Sequence, residues 1–256
     1  MKVKSIIKKI FRPIIIIPLL IFLLVIGGAV LSWALQSYNA EDIAIDFLES
    51  TESVNIIEEG NYLLFEPVDF TDNKPGLILY PGAQVEHKAY SRLAYKLAED
   101  GYPTIIVNMP LELAILGWRR ADGARELIPE QNSWYLIGHS LGGAMASRFI
   151  SREEPDWVNG LILLSAYPAS SDSLKDHDID VLSLYGDKDE IVDLELLQER
   201  RNILPDSAIF TEITGANHSG FADYGEQDGD GEAMITTEEQ INQTVKYISE
   251  FIEERR

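Results

Sequence analysis

The run Trp134-Tyr135-Leu136-Ile137-Gly138-His139-Ser140-Leu141-Gly142-Gly143 carries the most chemical information in this chain. It reads as a buried strand, a very tight turn and the start of a helix, with Ser140 at the apex. The pattern is Gly-x-Ser-x-Gly, the signature of a nucleophile elbow. Small residues two before and two after the serine let strand and helix approach closely, and the turn pushes the hydroxyl out at the carboxyl end of the sheet. The N–H of Leu141, opening the helix, then points to where an oxyanion would form.

A serine hydroxyl alone is a poor nucleophile. It needs an imidazole base, and the base needs a carboxylate to hold its tautomer. Both types lie downstream, each after an apolar run. Val181-Leu182-Ser183-Leu184-Tyr185 is followed by Gly186-Asp187-Lys188-Asp189-Glu190, a strand ending in an acidic turn. Ala208-Ile209-Phe210-Thr211-Glu212-Ile213 is followed by Thr214-Gly215-Ala216-Asn217-His218, a strand ending in a loop with a histidine. Of the four histidines, only His218 follows a strand downstream of both other partners, so it is the candidate base. His139 reads as a packing residue inside the elbow, and His87 and His177 as surface or capping residues. Two acids compete. Asp189 lies three residues past Gly186, where the loop can turn back toward His218, and is favoured. Asp187 is nearer the strand end and is expected to shape the turn.

A second oxyanion donor is expected from the loop after an earlier strand. Leu77-Ile78-Leu79-Tyr80-Pro81-Gly82-Ala83-Gln84 fits, with Ala83 the first candidate and Gln84 the fallback.

These loops require a scaffold that brings several strand ends to one edge. Strands are predicted at 77–80, 104–108, 134–137, 161–165, 181–185 and 208–213, and helices near 87–100, 118–129, 141–152, 193–202 and 237–254. The alternation argues for a parallel sheet covered on both faces. Segments 53–58 and 62–65, split by Glu59-Gly60-Asn61, read as a hairpin at the sheet edge. About 200 residues suffice for one domain and one core, and the domain is expected over 53–256. The connection 166–180 is too short for a helical cap, so the site should be open. The loops 110–118, with Leu111, Leu113, Ile115 and Leu116, and 221–234 are the expected roof. Asp228-Gly229-Asp230-Gly231-Glu232 resembles a calcium-loop fragment but lacks the remaining ligand spacing. No metal or cofactor is expected.

The elbow, the Gly-x-x-Asp turn and the Gly-x-Asn-His loop resemble the α/β-hydrolase superfamily. Tyr80-Pro81-Gly82-Ala83, Ala89-Tyr90, the segment from Leu97 to Tyr102, Asn108-Met109-Pro110-Leu111 and Gly215-Ala216-Asn217-His218 look more narrowly like a bacterial subgroup often named after dienelactone hydrolase. The resemblance covers about residues 75–250. It implies an α/β-hydrolase fold without a large cap, with Ser140 as nucleophile, Asp189 as acid, His218 as base, and hydrolysis of an ester-like bond. Dienelactone hydrolases proper use a cysteine nucleophile, and this chain has no cysteine. A serine esterase is therefore expected rather than a dienelactone hydrolase.

The front of the chain has a different character. Residues 1–12 hold five basic residues, Lys2, Lys4, Lys8, Lys9 and Arg12, and no acid. Residues 13–35 carry no charge, which is long enough for a transmembrane signal-anchor. Basic residues before the span favour a cytoplasmic N-terminus and an extracytoplasmic domain. Cleavage near Ser32-Trp33-Ala34, giving a secreted protein, is the alternative. Residues 36–52 read as a polar, acidic linker.

The chain has 21 Lys and Arg against 42 Asp and Glu. Setting aside the five leading basic residues leaves 16 against 42, a net charge of −26. That sign excludes nucleic acid as a partner and disfavours strongly anionic substrates. The expected partners are a small-molecule ester and, through the N-terminal helix, the membrane. The main expectation is a serine hydrolase working through an acyl-enzyme on a carboxylic ester, thioester or lactone. A tethered, non-catalytic binding domain and an acyltransferase using the same triad are the alternatives.

Overall fold

Near-continuous apolar runs bounded by Gly, Pro and polar residues form central strands buried on both faces, and with more exposed strands at its edges the sheet has eight strands among the described residues. The computed structural model describes residues 16–28, 30, 37–69 and 74–255. The strands are β1 (Val54–Glu59), β2 (Tyr62–Pro67), β3 (Gly76–Tyr80), β4 (Thr104–Val107), β5 (Trp134–His139), β6 (Val158–Leu164), β7 (Asp180–Gly186) and β8 (Ile209–Ile213). Their order is β1-β2-β4-β3-β5-β6-β7-β8. β1 and β2 form the expected hairpin, turning through Gly60 at φ +60°, a conformation that glycine adopts without steric penalty. β2 runs antiparallel to β4, and all later neighbours are parallel. The carboxyl ends of β3, β5, β6, β7 and β8 therefore share one edge.

Side-chain alternation splits the core into two layers. Leu77, Leu79, Tyr135, Ile137, Ile162 and Leu164 face one side, where helices Ser91–Glu99 and Thr237–Glu253 cover them. Ile78, Tyr80, Trp134, Leu136, Leu161 and Leu163 face the other, beneath helix Leu141–Glu153 and the short helix Ala121–Arg125. Each fully buried aliphatic side chain contributes about 1.5–3 kcal/mol. Helix Thr237–Glu253 starts with a reciprocal Thr236–Glu239 capping box, which satisfies two otherwise orphaned donors.

Several expectations change. The helix foreseen over 118–129 shrinks to Ala121–Arg125, because Pro129 biases Ile128 away from the helical region and Gly123 is packed tightly under Tyr62. The helix foreseen over 193–202 is α-helical only over Leu194–Glu199 and tightens to a 3₁₀ turn at Arg200–Ile203, ahead of Pro205. The expected linker is docked onto the domain from Tyr38 onward. The Tyr38 N–H donates to the Gln84 carbonyl at 2.6 Å, and the Glu41 N–H donates to the Asp223 carbonyl at 2.9 Å. Tyr38–Arg256 thus forms one compact unit.

The chain before Tyr38 is a separate unit. Its described residues 16–28 are helical, with exposed apolar side chains such as Phe22 and Leu24. No helix among the described residues is long and apolar enough to cross a membrane. The basic segment 1–12 and both ends of the span foreseen over 13–35 lie outside the described residues.

Candidate active site

β5 ends on His139, and the chain reverses at once into helix Leu141–Glu153. Ser140, between them, has φ +52° and ψ −123°, a sparsely populated conformation that persists only where the surroundings over-determine it. The glycines provide the determination. A Cβ on Gly142 would collide with the carbonyls of Tyr80 and Pro81, and one on Gly138 would collide with the backbone of Gly143. The Ser140 N–H is held by the Leu164 carbonyl at 3.0 Å. Ser140 is left half-buried at the carboxyl edge of the sheet.

The acid and base loops come from β7 and β8. His218 Nδ1 lies 2.8 Å from Asp189 Oδ2, and both side chains are almost fully buried. The other Asp189 oxygen accepts the N–H groups of Ile191 at 2.9 Å and Val192 at 2.8 Å. Burial alone would raise the Asp189 pKa. The His218 contact, the Val192 N–H and the nearby Ser165 hydroxyl outweigh it and hold the carboxyl below its ordinary value. An ionised Asp189 accepts the hydrogen bond of Nδ1–H and so keeps the proton on that nitrogen, which leaves Nε2 of the neutral ring as an acceptor. Asp187 does not meet His218. Its carboxylate pairs with Lys188 and accepts the Gly215 N–H, and these keep its pKa low. It pins the turn leading to His218.

Ser140 and His218 line one pocket of about 270 Å³, with Leu141, Ala144, Ser165, Ala166, Tyr167, Ile191 and Val192. The wall is largely apolar, with Ser140, Ser165 and His218 as polar points. The expected roof does not form this wall. Leu111, Ile115 and Leu116 are exposed by about half, and no residue of 110–118 or 221–234 lines the pocket. The walls come instead from the segments following β6 and β7, the carboxyl-end crevice where ligands of open α/β sheets bind. That rule was the available signal for Tyr167, Ile191 and Val192. The β6–β7 connection holds no helix, so that connection supplies no helical cap.

In the candidate oxyanion loop after β3 the backbone N–H groups differ in their partners. Pro81 has no N–H. The Gly82 N–H donates to the Tyr90 hydroxyl at 2.9 Å, and the Gln84 N–H donates to the Glu112 carbonyl at 2.9 Å. Ala83, between them and half-buried, has its N–H uncommitted among the described residues. Leu141, the first residue of its helix, offers the second N–H beside the pocket, where the helix N-terminus favours negative charge.

Three further residues, Asp230, Tyr90 and His139, have bonding partners that the sequence reading did not foresee. The Asp230 carboxylate accepts the N–H groups of Ser219 at 2.8 Å, Gly231 at 2.8 Å, His218 at 3.2 Å and Glu190 at 3.4 Å. It ties the acid loop to the base loop, so the glycine-rich acidic segment acts as a backbone clamp. Tyr90 and His139 form a second buried link, from the Gly82 N–H to the His218 carbonyl. Among the described residues, no cluster of three potential ligands could hold a metal ion.

Known proteins agree with this architecture. Residues 76–242 match the model of the alpha/beta hydrolase family. No curated protein sequence matches the chain. Among solved structures, a protein described as a predicted CIB-like hydrolase from Thermoplasma acidophilum is 16% identical, with a TM-score of 0.57 over 77% of this chain and 98% of that one. A dienelactone hydrolase-like promiscuous phosphotriesterase from metagenomic libraries is 16% identical, with a TM-score of 0.57 over 78% and 98%. Est1E from Butyrivibrio proteoclasticus is 15% identical, with a TM-score of 0.52 over 78% and 99%. At these identities the likeness concerns the fold. With the family model spanning well over half of its length, this chain belongs to the alpha/beta hydrolase family.

Proposed function

We propose that the chain is a serine hydrolase that cleaves short-acyl carboxylic esters through an acyl-enzyme. The observation that carries this reading is the buried 2.8 Å contact between His218 Nδ1 and Asp189, with His218 sharing one pocket with Ser140. Ser140 Oγ adds to the acyl carbonyl as its proton passes to His218 Nε2, and Asp189 stabilises the resulting imidazolium. The negative oxygen is met by the N–H groups of Ala83 and Leu141, each donor of this kind being worth roughly 10²–10³ in rate. Collapse breaks the carbon–oxygen bond, and the departing alcohol takes the proton from His218. Water then repeats the sequence on the acyl-Ser140 ester, releasing the acid and restoring the hydroxyl. Ser140→Ala should lose all labelling by a fluorophosphonate probe while keeping the wild-type melting temperature. Labelling of that variant at the wild-type rate would sink the assignment.

The acyl preference rests on pocket size. A volume of about 270 Å³ lies below the ~300–1,000 Å³ of pockets for drug-sized ligands. Its apolar wall is short, and the loops that could have extended it point elsewhere. The location is proposed from the sequence, with an anchor over 13–35 and the hydrolase domain outside. It rests on the uncharged run 13–35 and the five basic residues that precede it. Protease added to intact cells should digest the domain and spare a short N-terminal fragment. Full protection of the chain would contradict that orientation.

A further inference from the structure

Three segments that must hold register for the proposed chemistry are joined by one chain of buried hydrogen bonds. The Gly82 N–H, next to Ala83, donates to the Tyr90 hydroxyl at 2.9 Å. The Tyr90 hydroxyl lies 2.7 Å from His139 Nδ1. His139 Nε2 lies 3.1 Å from the backbone carbonyl of His218. Tyr90, His139 and His218 are each at most 1% exposed, so bulk water does not reach the link. The proton order follows from the ends. A carbonyl only accepts, so Nε2 of His139 carries the ring proton. The neutral ring then presents Nδ1 as an acceptor, and the Tyr90 O–H donates to it. The Tyr90 oxygen remains free to accept from Gly82.

The surroundings keep that arrangement. Burial first, and then the neighbouring His218, hold the His139 pKa well below its ordinary value. The two rings lie 4.6 Å apart, with Phe221 at 5.6 Å and Tyr224 at 6.5 Å from His139. Glycine at position 82 leaves room for the link, since a Cβ there would press on His139 Nδ1 at 3.0 Å and the Tyr90 hydroxyl at 3.2 Å.

We infer that Tyr90 and His139 are positioning residues that lock the oxyanion loop, the nucleophile elbow and the His218 backbone into one register, an inference that rests on the serine-hydrolase reading above. Neither side chain lines the pocket, so both act through Ala83, Ser140 and His218. The lock commits the Gly82 N–H, which fixes the orientation of the next peptide and hence of the Ala83 N–H. It also holds the His218 carbonyl, while Asp230 holds the His218 N–H. Loss of the lock should weaken transition-state stabilisation while leaving ground-state binding in place.

Tyr90→Phe removes only the hydroxyl and keeps the ring. Hydrogen exchange of the Gly82 amide should then quicken by at least about tenfold, a readout that needs no activity. In the wild type, ¹⁵N shifts of the His139 ring at neutral pH should place the proton on Nε2. With active sites counted by a fluorophosphonate, kcat per site should fall about 10–100-fold and KM should stay within about threefold. Affinity for an alkyl boronic acid, which forms a tetrahedral adduct on Ser140, should fall in step with kcat. His139→Gln, whose amide reaches one end of the link but not both, should move kcat and boronate affinity the same way. Gly82 exchange and boronate affinity both unchanged in Tyr90→Phe would overturn the inference, as would a fall in kcat with boronate affinity intact. A wild-type chain that neither reacts with the fluorophosphonate nor binds the boronate would overturn the serine-hydrolase reading instead, and Gly82 exchange would still decide the lock.

Discussion

Replacing Asp189 by Asn tests the proposed mechanism at its least replaceable bond. In the wild type one carboxylate oxygen holds His218 Nδ1 at 2.8 Å, and the other takes two backbone N–H groups at 2.9 and 2.8 Å. An asparagine amide oxygen can keep the two backbone bonds, so its NH₂ is turned toward His218. Two donors cannot share a bond, so Nδ1 must become the acceptor and the ring proton moves to Nε2. That tautomer cannot take a proton from Ser140. The expected loss in kcat/KM is roughly 10³–10⁴-fold, or about 4–5.5 kcal/mol of transition-state stabilisation. Folding should change little at pH 7, because the retained bonds leave no buried N–H orphaned. The variants are compared by p-nitrophenyl butyrate hydrolysis per folded molecule, with urea unfolding as the stability check. The folded-state pKa of Asp189 is depressed, so its ionisation stabilises the fold above the unfolded value of about 3.9. That contribution disappears as pH falls through the lower folded value. The Asn variant should therefore lose less stability than the wild type on acidification below about pH 4. Retention of more than a tenth of wild-type kcat/KM, or a larger loss in Asp187→Asn than in Asp189→Asn, would refute the tautomer argument.

Other outcomes follow from the same geometry. Asp230→Ala strips the acceptor from the N–H groups of His218, Ser219 and Gly231, and should cost about 1–3 kcal/mol of stability by urea unfolding with a fall in kcat. Wild-type stability in that variant would show the clamp to be idle. Gly142→Ala places a methyl against the carbonyls of Tyr80 and Pro81, and should yield little soluble protein; a soluble variant with wild-type kcat would contradict the close approach. Across p-nitrophenyl esters, kcat/KM should peak within about two to six acyl carbons, since further methylenes find no wall to supply their ~0.8 kcal/mol each. A profile still climbing beyond about ten carbons would mean that another surface extends the pocket.

The sheet was legible because its central strands are buried on both faces, and such strands announce themselves as apolar runs. Leu77 to Tyr80 and Leu161 to Leu164 carry no polar residue, and strands lie where those runs fall. Contacts set by loop geometry were harder. Asp187 and Asp189 are two residues apart and equally acidic. Only the turn of the backbone decides that one faces His218 and the other the Gly215 N–H. The apolar loop after β4 misled for a related reason. Leu111, Ile115 and Leu116 look like pocket lining because they are aliphatic and follow a strand end. Yet Leu111 and Glu112 both take positive φ values of 52° and 55°, which turns the loop so that these side chains face outward.

Residues that hold the site together left the weakest trace, because their partners are backbone atoms. A catalytic serine sits in a motif, since the elbow imposes glycines at fixed offsets. A clamp such as Asp230 needs only a carboxylate near several N–H groups, and any sequence distance that folding closes will do. His139 shows the same blindness from inside the motif itself. Its position beside Ser140 was plain, and packing accounts for its burial. Packing does not account for two ring nitrogens each meeting a polar partner in a dry interior. A buried imidazole with both nitrogens bonded spends its polarity on orientation, since an apolar side chain of equal size would fill the volume without the desolvation cost. The elbow therefore carries two polar side chains with different tasks: Ser140 faces the pocket, and His139 faces inward to fix the loops that must meet it.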